Sequence, residues 1–151
     1  MKLLALAIAI TAEAFKNKLD RGGQPYILHC LNVMDNTDGD EDEKCAAVMH
    51  DLVEDTRSDQ MPDIPWTYER LRSAGFSERT IDLIKMVTFP ENCDDIQYME
   101  QIKRIALNPG AKKIKKADLR HNSDITRLKG LRKKDIDRLE KYSRAYIYLS
   151  E

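Results

Sequence analysis

The chain has 151 residues, 42% of them hydrophobic, which suits one domain with a substantial core and is too short for two, so we expect a single domain over residues 1–151. Its formal net charge is −1, and its basic residues lie among acidic ones without an aromatic-rich stacking pattern, which argues against nucleic-acid binding. Three cysteines without CxxC spacing indicate neither a disulfide framework nor a zinc ribbon, and favour a reducing, cytoplasmic location.

The first segment predicts two helices separated by a loop. Apolar residues at helical spacing predict a helix over 2–18, and the glycines and proline within 20–25 end it. A second helix over 26–34 carries His29 near its start. A lone histidine is more often a structural hydrogen-bonding group than a metal ligand, so His29 alone decides little. No apolar run approaches about 20 residues, so we expect no membrane partner.

Charge is distributed unevenly along the chain. Residues 35–63 contain 11 Asp and Glu against 2 Lys and Arg, whereas residues 112–141 contain 12 Lys and Arg against 5 Asp and Glu. The acidic region suits a cation, and the basic region suits phosphate.

A helix beginning near Asp40, with Thr37 or Asp38 as its cap, is predicted to continue into the segment 50–55, His-Asp-Leu-Val-Glu-Asp. At about 100° per residue, positions 50, 51, 54 and 55 fall within roughly 140° of one another on such a helix. Crowded carboxylates repel one another unless a cation or a shared proton compensates, and imidazole is a good transition-metal ligand. This segment is therefore a candidate metal site.

The remainder of the chain also reads as helical. A connection at 61–65 is followed by helices capped by Thr67, by Ser77 and by Asp94 or Asp95, and the last helix runs from about 134 to 149. These helices are interpreted as scaffold. In the helix that contains 115–122, positions 115, 118, 121 and 122 share one face, which is either a structural ion-pair face or part of the site.

Three motifs in this order resemble those of the HD superfamily of metal-dependent phosphohydrolases. Residues 23–29 (GQPYILH), 50–56 (HDLVEDT) and 115–122 (KKADLRHN) look like the G-x-P-Y-I-x-H, H-D-x-V-E-D-T and K-x-A-D-x-x-H-N motifs of alarmone hydrolases. The resemblance covers almost the whole chain. It implies an all-α, single-domain HD-type helical bundle.

The resemblance also assigns roles to individual residues. His29, His50, Asp51 and Asp118 match the family's metal ligands, and the metal is usually Mn(II), although two imidazoles and two carboxylates also fit iron. The catalytic acidic pair that would orient or deprotonate the attacking water matches Glu54 and Asp55. The positions near the nucleotide and its phosphates match Arg21, Lys115 and Asn122.

The activity implied is removal of pyrophosphate from the 3' position of guanosine tetra- or pentaphosphate, (p)ppGpp, a small-molecule nucleotide. The alarmone enzymes commonly have Arg-Lys before the glycine, where this chain has Asp20-Arg21, so the arginine expected to stack on guanine is replaced by an aspartate. An HD-type phosphohydrolase or phosphodiesterase acting on another nucleotide is therefore the alternative.

Overall fold

A computed structural model describes residues 2–57 and 64–151, and it confirms an all-α helical bundle. The helices in chain order are α1 (Lys2–Ala14), α2 (Ile27–Asp35), α3 (Glu41–Val48), α4 (Leu52–Thr56), α5 (Tyr68–Ser73), α6 (Glu78–Val87), α7 (Asp95–Ala106), α8 (Pro109–Asn122), a 3-10 turn (Ile125–Arg127) and α9 (Lys133–Ser150). The described residues form no strand beyond an isolated bridge between Leu19 and Pro25. Most of the predicted connection at 61–65 lies outside the described residues.

Two helices organise the core. Helix α3 packs against α1, α2 and α6, and α8 packs against α2, α6, α7 and α9. The buried face of α3 consists of small side chains, with Cys45, Ala46 and Ala47 at most 1% exposed. Small residues allow neighbouring helices to approach closely, so the chain segment that follows α3 is held deep inside the bundle.

The helix starts depend on local side-chain caps. Asp40 accepts a hydrogen bond from the backbone N–H of Glu43, and the Glu43 carboxylate accepts one from the backbone N–H of Asp40. This reciprocal capping box replaces the predicted cap at Thr37 or Asp38. The predicted caps at Thr67 and Ser77 are confirmed, and Asp94 rather than Asp95 caps α7.

The first helix is shorter than predicted. It ends at Ala14, and the chain then turns so that the backbone carbonyl of Lys18 accepts a hydrogen bond from the N–H of Tyr26. The turn brings the Lys18 ammonium to 2.6 Å from Asp55 Oδ2. A helix that continued to residue 18 would follow the α1 axis instead of crossing towards α4.

The helix predicted to run through the acidic motif is interrupted. Helix α3 ends at Val48, residues 49–51 form a turn, and α4 begins at Leu52. Adjacent side chains on an unbroken helix point about 100° apart, which separates their ends. The turn instead lets His50 and Asp51 approach a common point, so the prediction of a single helical face was wrong in its geometry.

None of the helices in the described ranges is long and apolar enough to cross a lipid bilayer.

Candidate metal centre

Four predicted ligands converge on one point in the structure. His29 comes from α2, His50 and Asp51 come from the turn between α3 and α4, and Asp118 comes from α8. Each offers one ligand atom, and these atoms all lie within 4.8 Å of one another. The Nε2 atom of His50 is 3.0 Å from Asp51 Oδ2 and 3.3 Å from Asp118 Oδ1. The helices thus bring together nitrogen and oxygen donors from distant parts of the sequence, between His29 and Asp118.

Both imidazoles are oriented by a bond at the opposite ring nitrogen. Nδ1 of His50 lies 2.8 Å from the carbonyl oxygen of Ala47, to which it must donate, so the neutral form of His50 has its lone pair on Nε2. Nδ1 of His29 lies 2.7 Å from Nδ1 of His121. Burial, with a smaller contribution from the charge of Arg127, lowers the pKa of His121 to about 4. The Nδ1 atom of a neutral His121 can accept a hydrogen bond from the Nδ1–H group of His29. In that tautomer of His29, Nε2 is free to bind a cation.

The carboxylates are oriented in the same way. Asp118 accepts hydrogen bonds from Lys115 Nζ at Oδ2 and from Asn122 Nδ2 at Oδ1, both at 2.8 Å. The Tyr26 hydroxyl donates to Asp51 Oδ2. Lys115 and Asn122 therefore contact a predicted metal ligand, and both line the adjoining cavity. Their predicted role in binding substrate stays a prediction.

The predicted catalytic pair lies beside this cluster on α4. Ligand oxygens of Asp51, Glu54 and Asp55 also lie within 4.8 Å of one another. Glu54 Oε1 accepts a hydrogen bond of 2.6 Å from the backbone N–H of Phe89, and Asp55 is paired with Lys18. Burial and the charge of Asp51 raise the pKa of Glu54 to about 7, and the same two causes raise the pKa of Asp55. A carboxylate with a pKa near neutrality suits proton transfer.

Asp51 and Asp118 of the four-residue cluster, together with the acidic pair, line a cavity of about 600 Å³. Its wall includes basic side chains from five regions of the chain: Lys18, Arg21, Arg57, Lys115, Arg127, Arg138 and Lys141. Arg21 is more than half exposed, and its guanidinium lies 3.8 Å from Asp135. The wall also carries seven carboxylates, those of Asp20, Asp51, Glu54, Asp55, Asp118, Asp124 and Asp135. Basic side chains beside such carboxylates suit an anionic ligand that also binds a cation held by the carboxylates.

Asp20 stabilises the loop that forms one edge of the cavity. Its Oδ1 accepts from the backbone N–H groups of Gly22 and Gln24 at 2.9 and 2.8 Å, and its Oδ2 lies 3.2 Å from Arg127 Nη2. A Cβ atom at Gly22 would lie 1.9 Å from the carbonyl oxygen of Arg127, so only glycine fits this approach. Asp20 is therefore engaged in the loop and in an ion pair.

The donor set fits a divalent transition metal. Two imidazole nitrogens and two carboxylate oxygens are ligands that suit manganese and iron, and each has an orienting partner, as metal-binding residues usually do. The side chains of His29 and His50 are at most 3% exposed, whereas that of Asp51 is 17% exposed towards the cavity. A metal held by these residues would therefore face the cavity on one side.

Several residues of the site were not assigned from the sequence. His121 belongs to a recognised motif, yet its contact with His29 depends on how α8 packs on α2. Tyr26 also belongs to a recognised motif, but its hydrogen bond to Asp51 depends on how the start of α2 packs against the turn at 49–51. No role was predicted for Lys18. No known protein-family profile matches this chain, and no curated protein matches it significantly.

Proposed function

We propose that this protein is a metal-dependent pyrophosphohydrolase that removes pyrophosphate from the 3' position of (p)ppGpp, with Mn(II) as its metal. The observation that carries the proposal is the convergence of His29, His50, Asp51 and Asp118 beside two further carboxylates, at a cavity whose wall also contains basic side chains. The three sequence motifs that resemble alarmone hydrolases support the choice of substrate.

The reaction would use the side chains as follows. A bound metal would supply Lewis-acid activation of water and neutralise charge on the reacting phosphate. Glu54 and Asp55 would orient the water and accept its proton. The water oxygen would bond to the phosphorus that is attached to the ribose 3'-oxygen. The bond between that phosphorus and the 3'-oxygen would then break, and the 3'-oxygen would take up a proton. The products are pyrophosphate and GDP or GTP.

One observation favours a second candidate, an HD-type phosphohydrolase or phosphodiesterase acting on another nucleotide. Asp20, at the position where an arginine would stack on guanine, is bound to two backbone N–H groups and to Arg127. Asp20 therefore provides no planar guanidinium group on which a purine ring could stack.

The test is a comparison of substrates with Mn(II) present. We expect ppGpp to release pyrophosphate, and EDTA to abolish this release. NADPH, dinucleotides and cyclic nucleotides are tested in parallel as alternative substrates with different phosphate linkages. Hydrolysis of one of these compounds without release of pyrophosphate from ppGpp would refute the first candidate and support the second.

A further inference from the structure

Lys141 differs from the other basic side chains of the cavity. Each of the six others lies within 4.0 Å of a carboxylate oxygen. Lys141, half-buried on α9, has no ion pair or hydrogen bond with any residue in the described ranges. Its Nζ instead lies 4.7 Å from the ring centroid of Tyr98 and 5.9 Å from that of Tyr142. Because no carboxylate oxygen of the described residues forms an ion pair with it, the Lys141 ammonium is available to an anion.

The Tyr98 hydroxyl also lacks a partner. Tyr98 lines the cavity from α7 and is only 6% exposed, and its hydroxyl is buried with no hydrogen-bond partner within the described ranges. Burial raises the pKa of Tyr98 to about 12, so the hydroxyl keeps its proton and remains a donor. An unsatisfied buried hydroxyl is unfavourable. Because Tyr98 belongs to the cavity wall, a ligand in the cavity could supply the acceptor that the described residues lack.

Tyr98 lies next to a side chain that contacts the candidate metal centre. The Lys115 ammonium lies 5.9 Å from the Tyr98 ring centroid and donates to Asp118, one of the four converging ligands. Tyr98 is thus flanked by Lys115 on the side of the centre and by Lys141 on the side of α9. A ligand that reaches from the centre past Lys115 would next meet the Tyr98 and Lys141 side chains.

We propose that Lys141 and Tyr98 form a subsite for the terminal phosphate of a diphosphate group, so that the cavity takes organic diphosphates in preference to monophosphates or diesters. The proposal deepens the proposed function and rests on it for the position of the reacting phosphate at the metal centre. Lys141 donates from a flexible side chain that can leave the Tyr98 ring as the anion enters, and the Tyr98 hydroxyl donates to a second phosphate oxygen.

Calorimetric titration with inorganic pyrophosphate and with orthophosphate, both in EDTA, tests the subsite without metal or turnover. We expect the wild-type protein to prefer pyrophosphate. Lys141→Gln and Tyr98→Phe should each weaken pyrophosphate binding by about 10-fold, as expected for one lost hydrogen bond to a charged group, and reduce this preference. Lys141→Arg should retain most of the affinity.

Lys134→Gln is the matched control, since Lys134 is exposed on the same helix and does not line the cavity. It should bind pyrophosphate like the wild-type protein. Equal losses in Lys134→Gln and Lys141→Gln would show a general effect of charge and overturn the proposal. Undetectable binding of pyrophosphate to the wild-type protein, or unchanged affinity in either Lys141→Gln or Tyr98→Phe, would also overturn it.

Thermal unfolding separates a binding role of Tyr98 from a structural one. Because its hydroxyl has no hydrogen-bond partner in the part of the chain that the structure describes, Tyr98→Phe should leave the melting temperature in EDTA unchanged or raise it. A lower melting temperature would assign the hydroxyl to the fold and contradict the subsite. If ppGpp is not hydrolysed but pyrophosphate binding follows the expected pattern, the proposed function fails and the diphosphate subsite stands.

Discussion

The proposed metal centre can be tested by replacing one proposed ligand with an isosteric neutral side chain. Asp118→Asn keeps the size of the side chain and one oxygen but removes the negative charge. Asp118 Oδ1 lies 3.2 Å from His29 Nε2 and 3.3 Å from His50 Nε2, so this carboxylate lies at the middle of the cluster. The variant should therefore bind the metal more weakly while it keeps the fold.

The size of the effect follows from linkage between binding and folding. Mn(II) at 100 times its dissociation constant stabilises the native state by about 2.7 kcal/mol. For a chain of this length, each kcal/mol corresponds to about 2–4 °C, so the wild-type melting temperature should rise by roughly 5–10 °C. Loss of a ligand should weaken binding by about 100-fold, the upper end of the effects seen for residues that only orient ligands. At the same Mn(II) concentration, the stabilisation of the variant's native state then falls to about 0.4 kcal/mol, which corresponds to a rise in melting temperature of roughly 1–2 °C.

The assay is thermal unfolding of each variant in EDTA and in Mn(II), supported by elemental analysis of the bound metal. Each variant serves as its own reference, so a change in intrinsic stability cancels. Asp82→Asn is the control, because Asp82 is exposed on α6 and does not line the cavity. An Mn(II)-dependent shift in Asp118→Asn as large as in the wild-type protein would refute the assignment of Asp118 as a ligand.

Three further substitutions test neighbouring parts of the site. Glu54→Gln should retain metal and slow pyrophosphate release from ppGpp by roughly 100-fold, and full activity would exclude its role in proton transfer. His121→Phe should weaken Mn(II) binding by about 10-fold because His29 loses its orienting partner, which a metal titration would measure. Asp20→Ala removes three accepted hydrogen bonds, including the one from Arg127. It should lower the free energy of unfolding, measured in urea, by about 2 kcal/mol. An unchanged urea midpoint would show that the stability of the loop does not depend on these hydrogen bonds.

Local features of the fold were predictable because they depend on residues close in sequence. Thr67 and Ser77 cap the helices that their positions predicted, and apolar periodicity identified the later helices as structural elements. The cap of α3 was misplaced because several acidic residues compete for it. Asp40 has Glu43 three residues ahead to complete a reciprocal capping box, which the structure shows to be the deciding feature.

The interruption at 49–51 was not predictable from periodicity. Residues 50–55 have a spacing that an unbroken helix would also satisfy. The turn places both His50 and Asp51 next to His29 of α2, and it brings His50 Nε2 to 3.3 Å from Asp118 Oδ1 of α8. Only the packing of those two helices defines where the side chains must meet.

The sequence by itself determined the all-α fold, the types of donor available and, through three motifs, the four residues that the fold brings together. The tertiary structure decided which groups orient those donors and that Asp20 pairs with Arg127. It also places Lys141 and Tyr98 in the cavity wall, where the Lys141 ammonium and the buried Tyr98 hydroxyl have no polar partner among the described residues. The physical reason is that capping and periodicity act over three or four residues. Pairing of buried charges and hydroxyls instead depends on contacts between helices far apart in the chain.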